Sequence, residues 1–177
     1  MCIEKLALFD GPKAITTSFK RYNSIGKEEA KAARLVVESG NLSKFLGSRE
    51  PDFFGGPKVK EFEKQCAKYF GVKHAITVNS WTSGLIAAIG AIGIEPGDEV
   101  IVPTWTMCAT ATAILHWNAI PVFADINSDS FCIDPISVEK NITPYTKAIM
   151  AVDIFGQSAD LNTLMSIAQK HNLKVIS

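Results

Sequence analysis

Hydrophobic residues along most of the chain alternate between helix-like and strand-like spacing. From Pro57 to Gly71, apolar side chains recur every three or four residues, which predicts a helix with proline in its first turn and glycine as its stop. Short apolar runs then alternate with further helical patterns as far as Ser177. The predicted strands lie at 74–78, 99–102, 121–126, 147–153 and 173–177, and the predicted helices at 84–93, at about 106–117, from 134 onward and at 160–172.

Strands that alternate with helices, and that are apolar almost without interruption, are typical of a parallel sheet covered on both faces. We therefore predict an α/β fold with a parallel-rich, doubly wound sheet. Residues 1–56 lack this rhythm and contain one predicted helix at 28–39 and a short extended piece at 6–12. The predicted organisation is an N-terminal arm and loop (1–56), followed by the first part of a larger domain (57–177). We expect that domain to be truncated at its C-terminus, because its last apolar strand stops without a closing turn.

Composition and charge narrow the class of protein. The chain is 47% hydrophobic and 20% charged, with 18 basic and 18 acidic residues, so it lacks the basic excess that a nucleic-acid surface requires. We find no apolar run long enough to span a bilayer and no secretory leader. The cysteines at positions 2, 66, 108 and 132 lack metal-ligand spacing. We expect no metal site, no membrane or nucleic-acid partner, and a reduced, cytoplasmic protein.

The segment Val78–Gly84 is the best local candidate for a binding site. It reads Val-Asn-Ser-Trp-Thr-Ser-Gly, a strand followed by a hydroxyl-rich turn and a helix of small residues. Free backbone N–H groups and the positive end of the helix dipole would converge there with the hydroxyls of Thr82 and Ser83, which favours a phosphate. Plain N-capping explains the same residues, since serine and threonine cap any helix. The glycine fingerprints of nucleotide-binding loops are absent, which disfavours a nucleotide-binding domain.

Five segments in a fixed order resemble one family closely, namely 79–84, 93–106, 119–126, 142–150 and 155–160. Linked motifs at matching spacing are more specific than any single one. Their sequences and spacing are similar to those of the DegT/DnrJ/EryC1/StrS family of pyridoxal-phosphate-dependent sugar aminotransferases. The likeness covers about residues 57–177 and is weaker at Leu8–Pro12.

The resemblance implies a pyridoxal 5'-phosphate (PLP) enzyme of fold type I, of which this chain would be part of the large domain. It also implies a homodimer with sites at the subunit interface, a glutamate or glutamine amino donor, and a keto-sugar nucleotide as acceptor. The family's Schiff-base lysine and the aspartate that pairs with the pyridine nitrogen are expected beyond Ser177. No catalytic residue is therefore assigned here, and we expect the fragment alone to be inactive.

The resemblance also indicates which residues contact the cofactor. Thr82 and Ser83 match the positions that hold the cofactor phosphate, and Ser80 lies in the same turn. Met107 stands where the family usually has an aromatic side chain over the pyridine ring; a thioether can cover a ring face, but a core methionine explains the position equally well. Asp153 stands where many members have histidine. Its carboxylate either alters the proton balance of the site or caps the turn that follows.

Alternative functions stay open within and outside this family. Relatives with histidine in place of the lysine are sugar dehydratases, and others aminate cyclitol ketones. The segment Leu8–Lys13 resembles the second group. A truncated, non-catalytic remnant that uses the former dimer surface is an alternative of another class. The intact phosphate turn argues against the remnant, since a drifting sequence need not keep it.

Overall fold

The chain divides into two compact units, Met1–Ala75 and Ile76–Ser177. The boundary predicted after residue 56 concerns the domain of the whole protein and stays a prediction. Cys2 and some other residues of the predicted N-terminal arm and loop (1–56) lie outside the residues that the structure describes. The structure is a computed structural model that describes residues 5–42, 44, 45, 47, 49 and 51–177.

The first unit contains two amphipathic helices, α1 (Lys27–Glu38) and α2 (Pro57–Phe70). Helix α1 confirms the prediction at 28–39. Helix α2 begins with proline, whose fixed φ suits a first turn, and ends at Gly71 in the left-handed conformation (φ 66°), as predicted. Neither helix contains a buried residue. In the described chain, both apolar stripes are therefore exposed or at most half-buried.

The short extended piece predicted at 6–12 is wrong. A 3-10 helix occupies Ala7–Phe9, because the Leu6 carbonyl accepts a hydrogen bond from the Phe9 N–H at 2.8 Å. Asp10 then adopts a left-handed conformation (φ 60°) that ends the helix. A local helical turn therefore replaces the predicted extended conformation in this segment.

The second unit is built on a parallel sheet. Its strands are β1 (Glu99–Pro103), β2 (Ile120–Ala124), β3 (Thr146–Met150) and β4 (Lys174–Ile176), in the spatial order β2-β1-β3-β4. All three pairings are parallel, so the predicted α/β class is confirmed. The carboxyl ends of the strands therefore lie at one edge of the sheet, where such folds bind ligands.

The strand predicted at 74–78 is wrong. None of its residues belongs to a strand, and the side chains of Ile76 and Val78 are 82% and 44% exposed. A strand needs a neighbour for its backbone hydrogen bonds. The sheet of the described unit pairs with no part of this segment.

Four helices cover the sheet: α3 (Trp81–Ala91), α4 (Ala109–Leu115), α5 (Pro135–Lys140) and α6 (Leu161–His171). Helix α3 starts three residues before the predicted start at residue 84, since the Ser80 hydroxyl caps the Ser83 N–H at 3.2 Å. The predicted polar turn is thus partly the first turn of this helix.

The core consists of two apolar layers on opposite faces of the sheet. Alternate strand residues enter alternate layers: Ile101 and Ile149 pack with α5 and α6, whereas Val100, Val102 and Met150 pack with α3 and α4. The predicted doubly wound arrangement is therefore present. The layer with α5 and α6 contains Ile101, Ala124, Cys132, Ile133, Val138, Ile149, Ala151, Ala159, Leu164, Ile167 and Ala168, and the other contains Leu85, Ile89, Ile94, Val100, Val102, Ala113, Ile114, Ala119, Ala148 and Met150.

Candidate functional site

A cavity of about 380 Å³ lies at the carboxyl edge of the sheet, within the second unit. The start of α3, the turn between β1 and α4, and the segments that follow β3 and β4 form its walls. This position is the one expected for a ligand site in a parallel α/β sheet, and its size is that of a small-molecule pocket. Its lining residues are Trp81, Thr82, Leu85, Thr106, Met107, Ala109, Thr110, Met150, Ala151, Val152, Asp153, Ile154, Ile176 and Ser177.

The first turn of α3 supplies hydrogen-bond donors to this cavity. The Ser83 N–H donates to the Ser80 hydroxyl at 3.2 Å, and the Gly84 N–H donates to the Ser80 carbonyl at 3.1 Å. In the described part of the chain, the N–H groups of Trp81 and Thr82 have no acceptor, as expected for the first residues of a helix. These two donors, the Thr82 hydroxyl and the helix dipole together favour an anionic group.

The hydroxyls of Ser80 and Ser83 form a hydrogen bond with each other at 3.1 Å. Neither residue is among those that line the cavity. Their observed role is therefore to shape the turn that presents Thr82. The capping alternative thus describes Ser80 correctly, while Thr82 stays available for a ligand.

The turn between β1 and α4 forms a second wall. It is tied to β2 by a hydrogen bond from the Thr104 N–H to the Ala124 carbonyl at 3.0 Å. The side chain of Met107 is 72% exposed and lines the cavity, so it is not a core methionine in the described chain. A cofactor role for Met107 stays a prediction.

Asp153 follows β3 and contributes the third wall. Its Oδ1 accepts a hydrogen bond from the Ala159 N–H at 2.9 Å. The predicted cap of the turn at Phe155 is not observed, since the 3-10 helix Ile154–Gly156 has no side-chain hydrogen bond from Asp153 at its start. The same residue lines the cavity. It is the one lining residue with an ionisable side chain among those described, so the lining itself offers no cationic group to an anion.

The structure thus brings three of the five predicted cofactor residues around one cavity, namely Thr82, Met107 and Asp153. Sequence reasoning missed Thr106 and Thr110, which line the cavity and whose hydroxyls lie 2.8 Å apart. Two threonines four residues apart, across the start of a predicted helix, were the available signal.

An aromatic cluster of Trp105, Phe131 and Phe155 was also missed. The three ring centroids lie 6.0 to 6.5 Å apart, and the residues belong to the segments that follow β1, β2 and β3. Phe131 and Phe155 adopt left-handed backbone conformations (φ 59° and 53°), which are unusual for bulky residues. Contact between distant segments created this cluster, and no local pattern indicated it.

Carboxylates with a shifted pKa lie on residues that do not line the cavity. The pKa of Asp160 is lowered because the Thr163 hydroxyl and N–H donate to its carboxylate, and that of Glu139 is lowered by the hydrogen bond and charge of Lys170. The pKa of Glu29 is lowered by the Gly26 N–H. No cluster of three or more metal-ligating side chains occurs among the described residues.

A further concavity of about 420 Å³ lies between α6 and β4, at the edge of the sheet. Its lining includes Leu173, Lys174 and Val175 at the amino end of β4, whereas parallel α/β sheets bind ligands beyond the carboxyl ends of their strands. We therefore place the candidate site at the carboxyl edge. Separately, no helix within the described ranges is long and apolar enough to cross a membrane.

The fold and the cavity define a doubly wound α/β protein with an anion-binding helix start at the carboxyl edge of its sheet. Comparison with known proteins identifies the family. The profile of the DegT/DnrJ/EryC1/StrS aminotransferase family matches residues 24–177, and the chain belongs to this family. The match begins well before residue 57, so it extends over more of the chain than the motifs indicated.

Two curated relatives and one solved structure illustrate the relationship. The chain is 45% identical over 152 residues to the spore coat polysaccharide biosynthesis protein SpsC of Bacillus subtilis (strain 168), an alignment that covers 86% of this chain and 36% of that protein. It is 46% identical over 121 residues to GDP-perosamine synthase of Caulobacter vibrioides (strain ATCC 19089 / CIP 103742 / CB 15), which covers 68% of this chain and 33% of that protein. The chain thus spans well under half the length of either relative.

The structural comparison agrees with the sequence comparison. The PLP-form of the putative sugar aminotransferase Spr1654 from Streptococcus pneumoniae superposes with a TM-score of 0.74 at 30% sequence identity. The match covers 87% of this chain and 37% of that structure. The predicted likeness to PLP-dependent aminotransferases in fold is therefore confirmed.

Proposed function

We propose that the protein is a PLP-dependent aminotransferase that moves an amino group from glutamate or glutamine to a nucleotide-linked keto sugar. The observation that carries the proposal is the start of α3, where Trp81 and Thr82, whose N–H groups have no acceptor in the described chain, line one cavity. Family membership supports assigning this anion site to the cofactor phosphate, since the matching family is one of aminotransferases. The relatives GDP-perosamine synthase and SpsC support sugar chemistry through their names.

The residues present fit the phosphate of PLP. A helix start neutralises an anion through its dipole and N–H groups, so it requires no lysine or arginine in the lining. Thr82 would hold the phosphate through its hydroxyl and N–H, while Ser80 and Ser83 keep the turn in shape. Met107 would cover the cofactor with its polarisable thioether.

Asp153 is held by the Ala159 N–H, so one carboxylate oxygen is already engaged. We infer that its main role is to fix the segment after β3 as a wall of the site. Bound PLP would supply an electron sink for the carbon that carries the amino group. We assign proton transfer to no residue of this chain.

Substitution of Thr82 by alanine tests the cofactor site. We expect PLP to bind the variant about tenfold to a hundredfold more weakly, since a hydrogen bond to a charged group is lost. The measurement is a titration of the complete gene product with PLP, followed by visible absorbance. Thr112→Ala is the matched control, because the Thr112 hydroxyl bonds to the Ala109 carbonyl within α4. Equal affinities in all three proteins would remove Thr82 from the phosphate site.

Addition of glutamate or glutamine to the loaded protein tests the reaction. A change of the visible spectrum that a keto-sugar nucleotide reverses would support amino transfer. Cofactor that binds, but is not fixed to the protein by borohydride, would favour the dehydratase alternative. A gene product that binds no PLP would contradict both. The homodimer predicted from the resemblance is part of the same proposal and is testable by sedimentation.

A further inference from the structure

Thr110 has an unusual environment for a polar residue of the second unit. Its side chain lies in α4, is 4% exposed and borders the candidate cofactor cavity. A buried hydroxyl is costly unless it is hydrogen-bonded. Its partner is the hydroxyl of Thr106, at 2.8 Å, and the described residues contain no buried side-chain polar atom without a partner.

The hydroxyl pair closes the turn that carries Met107. Thr106 lies before α4 and Thr110 lies within it, so their bond ties the turn to the helix. A second tie runs along the backbone, from the Thr110 N–H to the Met107 carbonyl at 3.0 Å. Both ties converge on Thr110.

Met107 depends on this turn for its position. With 72% of its surface exposed, its side chain is held by little packing, and its place in the cavity wall follows from the backbone that carries it. A change at Thr110 therefore reaches the cavity through the turn.

We propose that Thr110 is a positioning residue for the cofactor site: its buried hydroxyl, paired with Thr106, holds the turn that carries Met107 into the cavity wall. This inference rests on the proposed PLP site. Thr110 contributes through the turn, and the affinity for PLP falls when the turn loosens.

Two substitutions at one position test the inference in the complete gene product. Thr110→Val keeps the branched shape and removes the hydroxyl, whereas Thr110→Ser keeps the hydroxyl. Thr112→Val is the control, since it makes the same change on the same helix where the hydroxyl bonds to the Ala109 carbonyl at 3.3 Å. Hydrogen exchange of residues 104–110 reports the turn without cofactor, and titration with PLP reports the site.

We expect Thr110→Val to accelerate hydrogen exchange in this turn by about fivefold to tenfold, and to raise the Kd for PLP by a similar factor. This ratio is the one expected for one lost hydrogen bond. Visible circular dichroism of the bound cofactor should fall as well. Thr110→Ser and Thr112→Val should match the wild-type protein in exchange and in PLP affinity, and the thermal midpoint of Thr110→Val should fall by no more than one lost hydrogen bond accounts for.

Wild-type exchange in Thr110→Val, or faster exchange with unchanged PLP affinity, would overturn the inference. The loss of binding in Thr82→Ala would then still uphold the proposed function. A wild-type protein that binds no PLP would instead overturn the proposed function, and the positioning role in a cofactor site would fall with it.

Discussion

The two units differ in how they treat their apolar residues. In Ile76–Ser177, apolar side chains from four strands and four helices form two buried layers. In Met1–Ala75, the helices α1 and α2 have apolar stripes of helical spacing but no buried residue. Amphipathic patterning thus forms helices in both units, and it yields a core in the described chain only where a sheet supplies the opposite surface.

The units also differ in charge. Fourteen of the 18 basic residues lie in the first unit, against four in the second, while each unit has nine of the 18 acidic residues. The zero net charge of the chain therefore hides an excess of five positive charges in one unit and five negative charges in the other. The net charge of the whole chain therefore describes the charge of neither unit.

A matched pair of leucine substitutions tests the contrast most strongly. Leu164 in α6 is fully buried, whereas Leu35 in α1 is 58% exposed. We expect Leu164→Ala to lower the free energy of unfolding by about 2–5 kcal/mol, because it removes apolar contacts and leaves a cavity. Leu35→Ala should cost less than about 1 kcal/mol. Chemical denaturation of the complete gene product measures both.

An equal loss of unfolding free energy in the two leucine variants would contradict the contrast between the units. They would show that another surface of the complete protein covers the apolar stripe of α1. The exposed stripe would then be an interface, and the two units would differ in where their cores are completed.

A glycine pair tests the packing of α3. A Cβ on Gly90 would lie 2.1 Å from Cζ2 of Trp117, whose indole N–H is anchored to the Ile86 carbonyl at 2.8 Å. We expect Gly90→Ala to destabilise the protein by about 1–3 kcal/mol through overpacking. Gly47→Ala, in the first unit, is the control, since no atom of the described residues lies within 4 Å of its added Cβ.

The thermal midpoint and Trp117 fluorescence together decide this prediction. A fall in stability that Trp117→Leu relieves in the double variant would identify the clash. A neutral Gly90→Ala with altered fluorescence would show that the indole swings aside, and that the close packing of α3 and α4 contributes little.

The fold could be predicted from the sequence where local patterns and their partners lie within the same unit. Each of the strands β1 to β4 pairs with a neighbour in this unit, and the strand predictions made from their apolar runs are confirmed. The segment at 74–78 has a comparable pattern and forms no strand, because pairing is a non-local property that propensity does not contain.

The candidate site could likewise be predicted in part from the sequence. Thr82, Met107 and Asp153 meet at one cavity, since parallel strands bring their carboxyl ends to one edge. The Thr106–Thr110 pair was missed although the spacing of the two threonines was available, because its place in the turn depends on where α4 begins. The sequence predicted the start of α4 at about residue 106, whereas the helix begins at Ala109. Thr106 therefore belongs to the turn before the helix.

The smallest predicted effect concerns the start of α6. Asp160 accepts hydrogen bonds from the Thr163 N–H at 3.1 Å and from the Thr163 hydroxyl at 2.7 Å, and these donors lower the pKa of its carboxyl. A lowered pKa in the folded state stabilises the protein above the unfolded pKa of about 3.9, and this contribution is lost as pH falls through the folded value. Thr163→Val should raise the pKa of Asp160 towards its ordinary value and flatten the acid limb of the stability curve.

Carboxyl-carbon NMR titration measures this pKa directly. Glu29 in the first unit is the internal control, because its pKa is lowered by the Gly26 N–H and should not respond to Thr163→Val. An unmoved Asp160 would show that the backbone N–H alone holds the carboxylate. The two units would then cap α1 and α6 by the same means, a carboxylate bound to a main-chain N–H, although they differ in core and in charge.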